Sequence, residues 1–206
     1  VNTGCNLQRV TVMLAPESLR PLLLPAQPML AVSSLPRAAV LPRAAVLLLI
    51  STGPQLQTFL TLRSADLPTH PGQISLPGGL VAVHDDSLEA TALREAQEET
   101  GLDPACVEVL GRLPPVVVVA SGVEITPVVG WAASLPQLRP DPREVAAIIT
   151  CPLHEVLQPA RYRRESLLRD GHSREFWVID VQQHRVWGAT ASILYSLACL
   201  LQPTRD

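Results

Sequence analysis

The stretch SLEATALREAQEETG, residues 87–101, decides the reading of this chain. Its body is built from strong helix formers. Asp86 with Glu89 has the spacing of a capping box, and Ser87 is an alternative cap. Gly101 supplies a C-terminal stop, with Pro104 beyond it. The oddity is charge. Glu95, Glu98 and Glu99 crowd the C-terminal end, where the helix dipole disfavours acids by roughly a few tenths of a kcal/mol each. Glu95 and Glu99 are also like charges one turn apart. At about 100° per residue all three fall on one face. Solvent, arginines or a cation must offset this. Taken alone, the acids read first as a solvated face shielded by Arg94. Three carboxylates on one face are also an oxygen-rich site for a hard cation such as Mg²⁺ or Mn²⁺.

Working outward, SLPGGL, residues 75–80, places Gly78 and Gly79 where backbone can approach a ligand or metal closely. A glycine-rich loop before a helix with an acidic far end fits a phosphate held through bridging metals. It does not fit the usual phosphate cradle, because GxGxxG and GK[ST] are absent. Residues 63–87 read as one long connection, of the kind that carries function. Upstream, AAVLLLI at 44–50 reads as a buried strand, Gly53 and Pro54 as a turn, and LQTFLTL at 56–62 as the second strand of a hairpin. Residues 1–34 read as an irregular arm with one short helix, and LPRAAV occurs twice, at 35–40 and 41–46, too few copies for a solenoid.

Downstream, CVEVLGRL (106–113), VVVVA (116–120), VEITPVVGWAA (123–133), EVAAIITCPL (144–153) and EFWVIDV (175–181) read as strands. Pro127 implies an edge or a bulge. A short helix is expected near 152–158 and an apolar one over 189–202. Mixed strands with few helices fit an α/β sandwich better than a repeating βαβ fold.

The chain has 206 residues, 47% of them hydrophobic, and a formal net charge of −3. That suits one domain with a sizeable core and gives no electrostatic case for nucleic acid. All 16 basic residues are Arg, which reads as composition bias rather than function. Cys5, Cys106, Cys151 and Cys199 form no CxxC pair or zinc set, so reduced thiols in a cytoplasmic protein are the expectation. No apolar run reaches the roughly 18 residues of a membrane span. The N-terminus makes a poor signal peptide.

The run GGLVAVHDDSLEATALREAQEETGL, residues 78–102, resembles the Nudix box of hydrolases that cleave nucleoside diphosphates linked to another moiety. Its second half is intact from Arg94 to Leu102. Its first half departs: one residue more than usual lies between Gly79 and Arg94, and Asp86 stands where the first Glu is expected. The departures, with TLRS (61–64) and HPGQISLPGG (70–79), resemble the coenzyme A pyrophosphatase branch, with Leu76 replacing the usual Phe. ITPVVG, EVAAIITCPL and RVWGATASIL extend the resemblance over roughly residues 37–202.

The resemblance implies a Nudix-type α/β/α sandwich with a mixed sheet and a loop-helix-loop metal site, spanning 35–206 after the arm. It implies that Glu95, Glu98 and Glu99, helped by the Gly79 carbonyl, bind Mg²⁺ or Mn²⁺. Water would attack a pyrophosphate phosphorus, with Glu95 the first candidate for base and Glu144 and Glu124 alternatives. Arg63, Ser64 and Gly78 are candidate substrate contacts. Arg94 is expected to position a glutamate, His70 to pack, and Arg161, Arg163 and Arg164 to form a solvated face; Trp177 and Trp187 are expected in the core. The implied activity is hydrolysis of coenzyme A, and of acyl or oxidised forms, to 3′,5′-ADP and 4′-phosphopantetheine. ADP-ribose or another nucleoside diphosphate derivative is the alternative substrate, and a non-catalytic ligand-binding domain is the third reading. The partner is a small molecule, with no nucleic acid and no membrane, and a homodimer is open.

Overall fold

The computed structural model describes residues 14–26, 41–169 and 172–202. Most of the arm, the first LPRAAV copy and Cys5 lie outside the described residues.

The centre is strand β1 (Arg43–Ser51), buried along nearly its whole length as its apolar run predicts. It runs parallel to β7 (Val123–Ala132) in unbroken register from Arg43↔Glu124 to Ser51↔Ala132. On its other side β1 changes partner. Its end pairs antiparallel with β2 (Gln57–Arg63) at Ile50↔Thr58 and Ser51↔Gln57. Its start pairs with β4 (Gly78–Leu80), placing Ala45 opposite Gly79. β2 also carries β3 (Ile74–Ser75) and β8 (Val145–Pro152). Beyond β7 lie β5 (Glu108–Arg112) and β6 (Val116–Val118). A second sheet follows: β9 (Arg163–Arg169), β10 (His172–Val181) and β11 (His184–Trp187), ordered β11-β10-β9.

Alternation along β1 divides the core. Ala45, Leu47 and Leu49 face α2 (Leu88–Thr100), with Leu88, Ala92 and Ala96 packed on them. Leu48 and Ile50 face the opposite layer, which holds Leu153 of the expected short helix, α3 (Leu153–Val156), Leu194 and Leu197 of α4 (Gly188–Leu200), and Ile179 of the second sheet. The molecule is the expected mixed α/β sandwich. Among the described residues no helix is long and apolar enough to cross a membrane.

Three expectations change. Residues 63–87 are not one loop, because they contain β3 and β4. Gly and Pro carry no strand signal, and neighbouring strands supply the pairing. Of the edge or bulge that Pro127 implied, the edge is not found: the residue lies in an interior strand, opposite an irregular junction where residues 113–115 face 126 and 127. Its carbonyl accepts from the Leu113 amide, between the ends of β5 and β6. Its nitrogen therefore faces a break in the neighbouring strand, where no ladder donor is missed. The arginine-rich run at 163–169 is itself a strand. There Arg163 pairs with Asp180 and Glu165, and Arg164 with Glu175 at 2.7 Å, and both arginines stay exposed, on the solvated face expected of them.

Within the arm, α1 (Pro16–Leu19) buries Leu19 completely against the α4 side. Leu24 and Arg112 then exchange two backbone hydrogen bonds of 2.9 Å. Gly111 permits this approach, since a Cβ there would stand 2.7 Å from the Leu24 carbonyl. The arm thus covers the edge strand β5. Trp177 stacks on Tyr195 at 4.0 Å and Trp187 meets Phe176 at 5.4 Å, both half-buried.

Candidate active site

Helix α2 carries the acids, and its termini are closed as the sequence suggests, with one change. Ser87 is the cap and accepts from the Ala90 amide at 3.0 Å. The capping-box reading of Asp86 and Glu89 fails: Asp86 is exposed, and Glu89 pairs with Arg112 of β5. At the other end Gly101 is left-handed at φ 65° and donates to Gln97 O. The carbonyls of Glu99 and Thr100 accept from the amides of Asp141 (2.9 Å) and Arg139 (2.7 Å). These bonds tie the 139–144 loop to the acidic end of the helix.

That tie brings Glu144 to the site. Its amide donates to Asp141 O, and its carbonyl accepts from Ser64 N at 2.8 Å. Its exposed carboxylate is close enough to raise the pKa of both Glu95 and Glu99. Arg63 arrives from the other side. A register shift between Leu62 and Arg63 breaks the β2–β8 ladder, and such irregularities re-aim side chains. The Arg63 guanidinium stands 3.9 Å from Glu99 and donates to Thr69 O at 3.4 Å. Its Nε is buried with no hydrogen-bond partner among the described residues. Ser64 is buried, and its hydroxyl accepts from Asp66 N at 3.3 Å.

Strand β4 closes the site against the helix. The Gly78 amide donates to Glu99 Oε2 at 3.3 Å. Gly78 has φ 154°, and a Cβ there would stand 2.3 Å from the Ala45 carbonyl. A Cβ on Gly79 would stand 2.5 Å from the Glu95 carboxyl carbon. Gly78 is therefore required by its approach to backbone, whereas at Gly79 the missing Cβ leaves room for the Glu95 carboxylate.

Arg94 organises the acids. It grips Asp85 with two bonds, Nε to Oδ1 at 2.9 Å and Nη2 to Oδ2 at 3.0 Å. The same guanidinium reaches Glu95 at 2.8 Å, Glu98 at 3.1 Å and the Leu80 carbonyl at 3.3 Å. Asp85 also accepts from Ala82 N and the Thr91 hydroxyl. The Arg94 bonds hold its carboxyl well below the usual range against the opposing effect of burial. Asp85, not Asp86, is therefore the acid that answers Arg94. The extra residue before the helix hid this, because spacing counted back from Arg94 selects Asp86 and spacing counted forward from Gly79 selects Asp85.

The three helix acids are not equivalent. Glu99 is buried, and burial pushes its pKa up to about 7, opposed by the Gly78 amide and Arg63. Burial also raises Glu95, opposed by Arg94. Glu98 is the exposed member, 57% by side chain. Among the described residues no three His, Cys, Asp or Glu side chains stand in metal-holding positions, since Arg94 takes oxygens of Glu95 and Glu98. The donor chemistry nonetheless fits a hard divalent cation. The ligands on offer are all oxygen, Glu99 is a buried acid with weak compensation, and Gly79 leaves no Cβ between β4 and Glu95. Glu124, on β7, has its carboxylate 3.9 Å from the Arg43 guanidinium. His70 does not pack: it is exposed, with left-handed φ of 55°.

Comparison with known proteins gives the same picture. The NUDIX domain profile matches residues 41–171. A protein of Salmonella paratyphi B, described as the uncharacterized Nudix hydrolase NudL, is 44% identical over 156 residues, 76% of this chain and 81% of its own. Its Salmonella newport counterpart matches to the same extent. The solved structure of a MutT/nudix family protein from Enterococcus faecalis superposes with a TM-score of 0.51 at 19% identity, covering 79% of this chain and 63% of its own. That last likeness concerns fold alone.

Proposed function

This chain belongs to the NUDIX domain family and is a Nudix hydrolase, and on that premise we propose that it cleaves the pyrophosphate of coenzyme A, including acyl or oxidised forms. The products are 3′,5′-ADP and 4′-phosphopantetheine: water adds its oxygen to one phosphorus, and the bridging oxygen leaves with the other. The observation that carries the reading is Arg63. The TLRS segment brings a guanidinium with an unused Nε beside Glu99 and the Gly78–Gly79 strand, where its planar fork suits a substrate phosphate.

Nudix hydrolases generally use divalent metal ions. Here Glu95, Glu98, Glu99 and the Gly79 carbonyl would hold Mg²⁺ or Mn²⁺, which when bound supplies positive charge to phosphate oxygens and acidifies water. Glu95, packed against Gly79, is the first candidate to take the proton from water. Glu144, on the loop tied to Glu99, is the second. Arg94 holds Glu95 and Glu98 in place while anchored on Asp85. Ser64 fixes the Glu144 backbone, and Gly78 supplies an amide at the edge of the substrate site. The remaining parts of the proposal are a cytoplasmic setting and a domain over 35–206 that follows an arm, whose residues 14–26 pack on it.

The test is hydrolysis of coenzyme A and ADP-ribose side by side, with Mg²⁺ or Mn²⁺, and products identified by mass. Faster release of 3′,5′-ADP from coenzyme A is expected. Preferential cleavage of ADP-ribose would overturn the substrate assignment, and binding without cleavage of either would overturn the activity.

A further inference from the structure

RPDPR, residues 139–143, is a stiff piece of chain. Pro140 and Pro142 have fixed φ, and Arg139 and Asp141 each precede a proline, which disfavours helical backbone there. The last carbonyls of α2 have no partner within the helix. The amides of Arg139 and Asp141 supply two of them, reaching Thr100 O at 2.7 Å and Glu99 O at 2.9 Å.

Asp141 then turns the chain. Its carbonyl accepts from the amides of Glu144 at 3.0 Å and Val145 at 2.8 Å. Its carboxylate accepts from the Arg143 amide at 2.9 Å, closing the local turn that Asp side chains favour. Both carboxylate oxygens also take the Arg143 guanidinium, each 3.1 Å from Nε. These bonds from Arg143 hold the Asp141 carboxyl down at about 2, so it is charged at neutral pH.

Glu144 leaves this turn with its backbone fixed on both sides, its amide on Asp141 O and its carbonyl on Ser64 N. The next residue, Val145, is buried opposite Arg63 in the β2–β8 ladder. The contacts form a closed circuit. It runs from Glu99 through Asp141 and Glu144 to Ser64, and returns through Arg63, whose guanidinium is 3.9 Å from Glu99. Among the described residues the Glu144 carboxylate carries no ion pair. The neighbouring cation, Arg143, is engaged by Asp141.

We propose that Asp141 is a positioning residue for hydrolysis: its carboxylate closes the 141–144 turn and holds Arg143 aside, so that the Glu144 carboxylate stays unpaired beside Glu95 and Glu99 and available to the attacking water. This rests on the pyrophosphatase reading above, in which Glu144 is a candidate base, and adds the residue that places it.

The experiment measures kcat and KM at saturating Mg²⁺ for whichever of coenzyme A and ADP-ribose is cleaved faster. It compares the full chain with Asp141→Ala, Asp141→Asn, Glu144→Gln and the double variant Asp141→Ala with Glu144→Gln, and a thermal melt of each gives its folded fraction. Glu144→Gln should lower kcat by roughly tenfold or more. Asp141→Ala should lower kcat about tenfold with little change in KM, because the carboxylate it places is shifted rather than lost. Asp141→Asn keeps an oxygen for the Arg143 amide and should recover about threefold or more of that loss. On the Glu144→Gln background Asp141→Ala should cost less than about twofold, since no carboxylate is left to place. Equal loss on both backgrounds, no rescue by asparagine, or a loss that only follows the folded fraction would overturn the proposal. Wild-type turnover in Glu144→Gln would overturn it while leaving the hydrolase reading intact. Failure of the unaltered chain to cleave either substrate would instead remove the reading on which it rests.

Discussion

Gly78 and Gly79 are adjacent, yet adding one methyl group to each should have opposite consequences. At Gly79 the new Cβ would meet the Glu95 carboxyl carbon and Oε2 at 2.5 Å and Oε1 at 2.6 Å. Ordinary carbon contacts begin near ~3.5 Å, so the carboxylate must retreat by about 1 Å. It sits at the end of a flexible side chain, and Gly79 has no left-handed φ, so the fold can absorb the change. We expect Gly79→Ala to alter unfolding free energy by less than about 1 kcal/mol. Turnover should fall about a hundredfold, the usual cost of a ~1 Å misplacement in a catalytic constellation, equivalent to about 2.7 kcal/mol of barrier. At Gly78 the new Cβ would meet backbone instead, 2.3 Å from Ala45 O and 2.5 Å from Val46 Cα, at φ 154°. Strain and overpacking together should cost Gly78→Ala about 3 kcal/mol or more of stability. Urea unfolding with steady-state hydrolysis at saturating metal separates the two. Turnover of Gly79→Ala within threefold of wild type, or destabilisation matching Gly78→Ala, would refute the assigned contact between β4 and Glu95.

Asp85→Asn should destabilise the protein by about 2–4 kcal/mol at neutral pH, because Asp85 receives only donors, and breaking a buried ion pair leaves Arg94 undercompensated. The pH dependence has a definite sign. The folded pKa of Asp85 is depressed, so its stabilisation is present above the unfolded value of about 3.9 and is lost as pH falls toward the folded value. Chemical unfolding should therefore show the gap between Asp85→Asn and wild type narrowing below about pH 4, and a gap that widened there would contradict the pairing. Ser87→Ala removes the bond to the Ala90 amide and should cost about 1 kcal/mol by thermal melt. Glu98→Gln should lower turnover at least about a hundredfold, as expected for loss of a metal-binding carboxylate. Glu98 is 57% exposed, so its melting temperature should move little, and near-normal turnover would remove it from the site.

How much of this was legible in the sequence depended on the range of the interaction. The catalytic helix was read within a residue of its observed ends, because its cap, its composition and Gly101 act over one or two turns. The buried run of β1 and the hairpin to β2 were equally plain. Strands β3 and β4 were not, since Pro77, Gly78 and Gly79 have no strand preference of their own. Strand β9 was masked by its arginines, of which Arg163 and Arg164 meet Asp180 and Glu175 only once β10 is folded beside it.

The sequence by itself determined the family and the three acids on one helical face, because both are patterns along a short stretch of chain. Only the tertiary structure decided which acids act alike. It buried Glu99 and left Glu98 exposed, and selected Asp85 over Asp86 for Arg94. It also brought Arg63 and Glu144 to the same carboxylates, through an irregularity in β2 and a loop bonded to the helix end. The physical reason is that desolvation and ion pairing depend on distances between segments far apart in the chain. Packing sets those distances, and no local propensity encodes them.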